Sequence, residues 1–559
     1  MSKNTKQKSS GIILLMILFS MALCWVLFLP YTIRYHDFYF HITRVEQLVI
    51  AFKNGDWFPR IFPHMYDNFG YAVSLFYSDF FLYIPALLTY IGVEVLLSYK
   101  IYSVIIVLAT VFSSYYCVNK LLKDRFSAAV AAMVYTGSSY FAVDMFIRGA
   151  LGESQAFIFL PFALLGMYNA VYGDKNDRWP LIIGFSGLVL SHNLSLLLTA
   201  IFFAIFLVIN LRKLIKEPVR ILEIAKSSIT VVLLTAFFFL PMAEQLLTEE
   251  FFSTYHASIW NPIVAVIAIR RLFLGGNLDD RTMFTPSMGL TILIVFVLCM
   301  LLFFKKPKND LHRFFDCLIL GSGLCMFVCT RYFPWVALDP HLNIIQFPWR
   351  MYVFITLFAS FCIGILSNKY VGNCNTKFKN IIICLIAVFC FAQFSCTAYT
   401  GLQIFKSQDR IVTDTSSFRI GDENYLHGNN NRKKWANRWK YVDTATGVNG
   451  DVTTSMTRDY YNRYIEFSDN DTNNSLEIAA IYFRGYKAVD ADTGEKYKVY
   501  PSKDGWLEVD IGTKESGRIN VFYDGTFIQH ISPFISLATV AVIIFITLKK
   551  KRNFSDKEI

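Results

Sequence analysis

The chain has 559 residues, of which 54% are hydrophobic and only 17% charged, with a formal net charge of +11. Average soluble domains carry roughly 25% charged residues, so an ordinary soluble enzyme is excluded. The basic residues stand in short runs between apolar blocks, a pattern that reports membrane topology rather than a nucleic-acid partner.

The first apolar block, Gly11 to Pro30, follows Lys3, Lys6 and Lys8. It lacks the small-residue cleavage site of a signal peptide and reads as an anchor. Further spans are expected at 99–119, 126–143, 154–172, 179–190, 194–211, 226–243, 287–304, 313–331, 351–368, 379–398 and 531–548. A hydrocarbon core of ~30 Å needs about 20 helical residues, and 179–190 is shorter than that. Basic loops separate them, among them Lys120 to Arg125, Lys175 to Arg178, Lys305 to Lys308 and Lys549 to Arg552. Placing these loops in the cytoplasm makes every span alternate, with both termini cytoplasmic. Short cytoplasmic loops and no evident targeting feature suit a bacterial cell (plasma) membrane.

Ser74 to Val93 breaks that parity and carries Asp79 and Pro85, so an interfacial or re-entrant helix is expected there. Residues 179–211 would make a helix of ~50 Å, too long for one span. Their polar break at Ser191-His192-Asn193 predicts two helices meeting near a protein-lined cavity. After residue 398 comes a polar segment whose second half alternates in strand fashion, with turns at Asp492-Thr-Gly494, Lys503-Asp-Gly505 and Ser516-Gly517. The expected organisation is a membrane module over 1–398, with outer loops 31–98, 244–286 and 332–350. An extracytoplasmic domain over 399–530, β-rich in its second half, and a last helix and cytoplasmic tail over 531–559 complete it. The eleven cysteines include no CxxC pair and read as small hydrophobes.

Ionisable residues gather at the expected outer ends of the spans: His36, Asp37, His41, Arg44, Asp79, Asp144, Arg148, Glu153, His192, Glu244, Arg331, Asp339, His341 and Arg350. Charges at membrane depth cost about 2.5–3.5 kcal/mol each, which points to a functional cavity open to that side. Solvated loop residues are the plain alternative for any one of them. Asp37, flanked by aromatics, has the character of a general base toward a hydroxyl, with His36 as its rival. Arg350 in Gln346-Phe-Pro-Trp-Arg350, with Arg148 and Arg331, suits a phosphate, which guanidinium forks bind bidentately. An aromatic-belt anchor is the competing reading of Trp349 and Arg350.

Several stretches carry a resemblance. They are Asp37…His41…Arg44, Gly55-Asp-Trp-Phe-Pro59-Arg60, Gly70 with Phe76-Tyr77, Arg148-Gly-Ala-Leu-Gly-Glu153, Ser191-His192-Asn193 and Gln346-Phe-Pro-Trp-Arg350. In these the chain resembles bacterial multi-pass proteins of the 6-pyruvoyl-tetrahydropterin-synthase-related and YfhO-like families. In layout it resembles GT-C glycosyltransferases. No soluble synthase domain is visible, so the pterin name implies nothing here. The resemblance implies a GT-C-like polytopic α-helical fold of about twelve spans with a re-entrant or interfacial helix and a small extracytoplasmic β domain. It also implies transfer of a sugar from a polyprenyl-phosphate donor to an extracytoplasmic glycan or polymer acceptor of the cell envelope. By that analogy Asp37 is the catalytic base. Arg148, Arg350 and Arg331 hold the donor phosphate, and His36, His41, Arg44, Glu153, His192, Gln346 and Trp349 line the groove. Positions 38 and 39 are Phe and Tyr where the metal-dependent pattern has a second carboxylate. The arginines are therefore expected to neutralise the phosphate, with a divalent metal as the alternative. A flippase or transporter of a lipid-linked precursor, and a non-enzymatic assembly subunit, are the other classes the sequence admits.

Overall fold

A computed structural model describes residues 3–33, 37–66, 68–251, 272, 286–303, 309–342, 345–407, 411–412, 425–427 and 444–555. In chain order its first elements are α1 (Lys3–Leu23), β1 (Thr32–Ile33), α2 (Phe38–Lys53), α3 (Val73–Phe76), α4 (Tyr83–Tyr90), α5 (Val95–Leu122), α6 (Arg125–Thr136) and α7 (Ser139–Ala142). A π-helical turn over Val143–Arg148 leads into α8 (Leu151–Val171), α9 (Trp179–Val189), α10 (Asn193–Ile209), α11 (Leu211–Lys216), α12 (Val219–Leu234) and α13 (Ala236–Thr248). There follow α14 (Leu290–Phe303), α15 (Asp310–Val328), α16 (Trp335–Leu342), α17 (Tyr352–Val371), α18 (Thr376–Ser407) and β2 (Ile411–Val412). Strands then run β3 (Ala445–Gly447), β4 (Thr453–Arg458), β5 (Arg463–Ser468), β6 (Asn474–Ile481), β7 (Tyr486–Asp490), β8 (Lys496–Tyr497), β9 (Val499–Pro501), β10 (Trp506–Gly512) and β11 (Gly517–Tyr523). The last helix is α19 (Phe527–Ser555).

The chain is a polytopic membrane protein. Seven segments are long and apolar enough to cross a bilayer: Gly11–Phe28, Val95–Leu122, Leu151–Val171, Asp310–Val328, Pro348–Val371, Thr376–Lys406 and Phe527–Lys549. Two more expected spans are broken helices, α6 with the 139–148 segment, bent by 48°, and α12 with α13, interrupted at Thr235. Counting each pair once gives up to nine spans among the described residues. The other three of the twelve expected spans are apolar helices shorter than 18 residues: Trp179–Val189, Asn193–Ile209 and Leu290–Leu301. The first of these, at 1.5 Å per residue, reaches only about 16 Å. Phe80–Tyr90, inside the segment expected to lie at the interface, is equally short.

Two compact units divide the chain. The first comprises 1–42, 93–231 and 258–416, and holds most of the spans. Its centre is α17, from which nearly every residue between Tyr352 and Ser367 is buried. Close helix approach depends on glycine: a Cβ at Gly166 of α8 would lie 2.4 Å from the Leu181 backbone, and one at Gly184 of α9 2.3 Å from that of Ala163. Small residues at such crossings are the usual basis of packing in lipid. The polar break after α9 is as expected, and His192 caps α10 by accepting from the Ser195 amide.

The second unit comprises 43–92, 232–257 and 417–559. Its strands form two antiparallel sheets, ordered β3-β6-β10-β9 and β4-β5-β11-β7-β8. Alternation along β5 and β7 buries Ile465, Phe467, Tyr486 and Ala488, which places one face of the larger sheet on a core. The loop after α2 packs on these strands. The Phe69 ring meets Trp506 at 4.8 Å, and the Phe69 carbonyl accepts from the Ile481 amide at 3.1 Å. The expected boundaries at 398 and 530 thus differ from those of the compact units, because the loop after α2 and the 232–257 segment belong with the β region.

Candidate functional site

The first unit gathers five ionisable side chains around the start of α8. The π-turn ends at Gly149, whose φ of 63° is left-handed. A Cβ there would lie 2.9 Å from the Phe38 side chain and 3.0 Å from its Cα. Glycine therefore permits the start of α2 to rest against the turn. The Asp37 amide donates to the Arg148 carbonyl at 3.1 Å, which locks the two segments together.

Arg148 is the hub. Its Nη1 donates to Asp144 Oδ1 at 2.6 Å and to Glu153 Oε2 at 2.9 Å, and its Nη2 stands 3.7 Å from Asp37 Oδ2. Asp144 lies one helical turn before Arg148, and Glu153 in the first turn of α8, where a carboxylate also favours the helix dipole. The Tyr140 hydroxyl donates to Glu153 Oε1 at 2.9 Å. Arg350 enters from the turn before α17, with its Nε 3.9 Å from Glu153 Oε2. Arg148, Asp144 and Glu153 are sealed, at 2% exposure or less. The Asp37 carboxylate, 41% exposed, opens to the surface of the protein.

The arrangement holds three carboxylates against two guanidinium groups. Nε of Arg148, Nε of Arg350 and Oδ2 of Asp144 are buried with no hydrogen-bond partner among the described residues. Buried polar groups are normally paired, so this cluster carries unfilled valences. His192 is buried on its own helix cap, its Nδ1 2.8 Å from Ser195 Oγ. The Arg350 guanidinium lies 5.5 Å from the Phe347 ring, which stacks on Trp349 at 4.5 Å. Gln346 adopts a left-handed φ of 62° before this turn.

Asp37, Arg148, Glu153 and Arg350 thus meet, while other expected residues do not join them. Arg331 is exposed and lies over the ring of its neighbour Tyr332 at 5.3 Å. Arg44 is committed to Asp79 within the second unit, and Glu244 contacts Thr526 there. His41 is buried on α2, its ring 5.1 Å from that of Phe40. His36 and the side chains of Asp339 and His341 lie outside the described residues. Among the described residues no group of three His, Cys, Asp or Glu side chains is placed to hold a metal ion. Sequence reasoning missed Tyr140. An isolated tyrosine in an apolar helix gives no signal until its partner at residue 153 is known.

No protein-family model matches the chain. It is similar to an uncharacterized protein of Lactococcus lactis subsp. cremoris, with 23% identity covering 93% of this chain and 92% of that one. The similarity is thus end to end, spanning the membrane helices and the β region alike.

Proposed function

We propose that the protein is a membrane glycosyltransferase that moves a sugar from a polyprenyl-phosphate donor to an extracytoplasmic acceptor. The observation that carries this reading is the contrast within one cluster: a half-exposed Asp37 carboxylate fixed beside a sealed Arg148, with Arg350 alongside. In the reaction the acceptor hydroxyl attacks the anomeric carbon, the bond from that carbon to the phosphate oxygen breaks, and Asp37 takes the hydroxyl proton. The polyprenyl phosphate departs with its bonding electrons. Arg350, whose Nε lacks a protein acceptor among the described residues, stabilises that developing charge. Arg148 already serves two carboxylates at hydrogen-bond distance, so its part is to position Asp37 and Glu153. The GT-C-like fold, both termini in the cytoplasm and residues 400–529 outside belong to the same reading, supported by the basic-loop alternation. Reporter fusions at Lys306 and Asn473 test it. Labelling of Lys306 from outside with Asn473 protected would reverse the orientation.

The decisive experiment replaces Asp37 by Asn and, separately, His36 by Gln. Asp37→Asn should insert and fold normally yet lose roughly 10²–10⁴-fold in transfer rate from a purified lipid-linked donor. Full activity of Asp37→Asn would remove the base and the enzyme with it. A transporter of lipid-linked precursor is the second reading, favoured by Arg148 and His192 lying at helix interruptions. That outcome would show precursor accumulating on the cytoplasmic face of a deletion strain, with no transfer by the pure protein.

A further inference from the structure

In the second unit, the loop after α2 carries an arginine, Arg60, that forms no ion pair with a carboxylate among the described residues. Its Nη2 donates to the Phe237 carbonyl at 3.1 Å. The acidic groups near it are otherwise engaged. Asp56 accepts from the Tyr461 hydroxyl, and Asp79 takes Arg44. Tyr83 and Tyr523, also near, carry hydroxyls rather than charges, and burial works against the Arg60 cation. A guanidinium in such a place is stabilised by an anion from outside the chain.

Beside Arg60 stands an apolar surface that nothing in its own unit covers. Trp57, Phe58, Phe80, Ile84, Leu87 and Ile91 are all exposed, Phe58 at 80%. It is a rigid surface, since Trp57 stacks on Phe52 at 4.9 Å and the Tyr83 hydroxyl donates to the Trp57 carbonyl at 2.7 Å.

The last membrane helix sets the level of this surface. The Phe237 amide donates to Ser536 Oγ of α19 at 3.0 Å, and Phe80 meets the Phe237 ring at 5.9 Å. Ser536 lies six residues past His530, the last ionisable side chain before the exposed apolar run of Ile531, Phe534 and Leu537. Six helical residues rise about 9 Å. Arg60, tied to Phe237, is thus within about 9 Å of His530 along α19, in the half of the span nearer the end where α19 begins.

We infer that Arg60 and the surface formed by Trp57, Phe58 and the Phe80–Ile91 segment bind a membrane phospholipid, the guanidinium taking the lipid phosphate and the aromatic and aliphatic side chains its acyl chain. Aromatic rings and arginine at the interface are the usual anchors of such contacts. The site is independent of Asp37 and of any transfer reaction. It accounts for the Gly55-Asp-Trp-Phe-Pro59-Arg60 motif, which the proposed chemistry leaves unused.

Native mass spectrometry of the full chain in detergent tests it, with dioleoyl phosphatidic acid, dihexanoyl phosphatidic acid, dioleoyl phosphatidylcholine and inorganic phosphate as probes. The wild type should bind the dioleoyl acid at least tenfold more tightly than Arg60→Gln. Phe58→Ser, altered only at an exposed side chain, should lose affinity for the dioleoyl but not the dihexanoyl acid. Unchanged binding in both variants would overturn the site. Displacement by inorganic phosphate at equal concentration would make it a free-phosphate site and overturn the lipid assignment. Equal retention of phosphatidylcholine by wild type and Arg60→Gln, at the level of the acid, would reduce the surface to ordinary annular contact. Should Arg60→Gln not fold, the Phe58→Ser chain-length contrast alone decides.

Discussion

Arg44 and Arg148, both at 2% exposure or less, meet carboxylates, and they do so to different ends. Arg44 is sealed with Asp79, Nε to Oδ1 at 2.9 Å, and its Nη2 donates to the carbonyls of Tyr77 and Ser78 at 2.8 and 2.9 Å. One cation thus answers one anion and ties down the broken backbone ahead of α4. Arg148 answers three carboxylates instead, one of which faces outward. The first is a one-to-one staple, although Asp79 Oδ2 is itself buried without a hydrogen-bond partner among the described residues. The second is under-filled and open at one end, the state in which a buried network can still accept a ligand or a proton.

The largest expected effect separates the two at once. Arg148→Gln leaves Asp144 and Glu153 buried without their cation, and should lower stability by about 3–5 kcal/mol, read as the unfolding midpoint in detergent. A loss below 1 kcal/mol would mean the cluster is wet and the contrast false. Next, Arg350→Lys keeps the charge but loses the planar fork, and transfer should fall by tenfold or more, about 1.4 kcal/mol. Full activity of that variant would leave Trp349 and Arg350 as an interfacial anchor only.

Joint replacement of Arg44 by Met and Asp79 by Leu should cost less than Arg148→Gln, about 1–3 kcal/mol, because apolar packing can match the ion pair but leaves the Tyr77 and Ser78 carbonyls without their donor. Transfer activity should be kept; its loss would show that the staple belongs to the chemistry. The smallest effect lies outside both. The Thr493 amide, the Tyr497 hydroxyl and the Asp492 amide hold the Asp490 carboxylate below its usual range. Its contribution to stability is therefore complete above the ordinary Asp value of ~3.9 and is lost as pH falls below it. Asp490→Asn should make hydrogen exchange in β7 and β8 less sensitive to pH as it falls below roughly 4, relative to the parent.

Local chemistry made much of the fold legible. Apolar blocks such as 101–119 and 380–398 became helices because no charge interrupts them and their serines and threonines can bond back to the helix backbone, and Ser191-His192-Asn193 broke the 179–211 stretch because His192 caps a new helix. Alternation in 463–468 and 486–490 marked strands for the same local reason. Three expected spans came out as apolar helices of fewer than 18 residues among the described residues, since hydropathy measures composition and not where a helix stops. The packing of the loop after α2 on the β strands was invisible, as Phe69 and Trp506 are far apart in sequence. So was the meeting of Asp37 and Arg148, which depends on a glycine with room for no Cβ. Arg331 matched Arg350 in residue type and expected level, yet its turn points it into solvent, and no periodicity reports a turn's direction.

That glycine bears on how the chain is made. The pairing of Asp37 with Arg148 spans roughly 110 residues, and synthesis adds about 5–20 residues per second. For several seconds, then, the segment after the first helix waits in the insertion machinery without the neighbour that fixes it. Residue 149 must arrive before the carboxylate has a defined place. Gly149→Ala would deliver every ingredient of the cluster on schedule and still deny it its seat. Such a chain should be inserted, full length and inactive, with the defect lying in late assembly rather than in targeting.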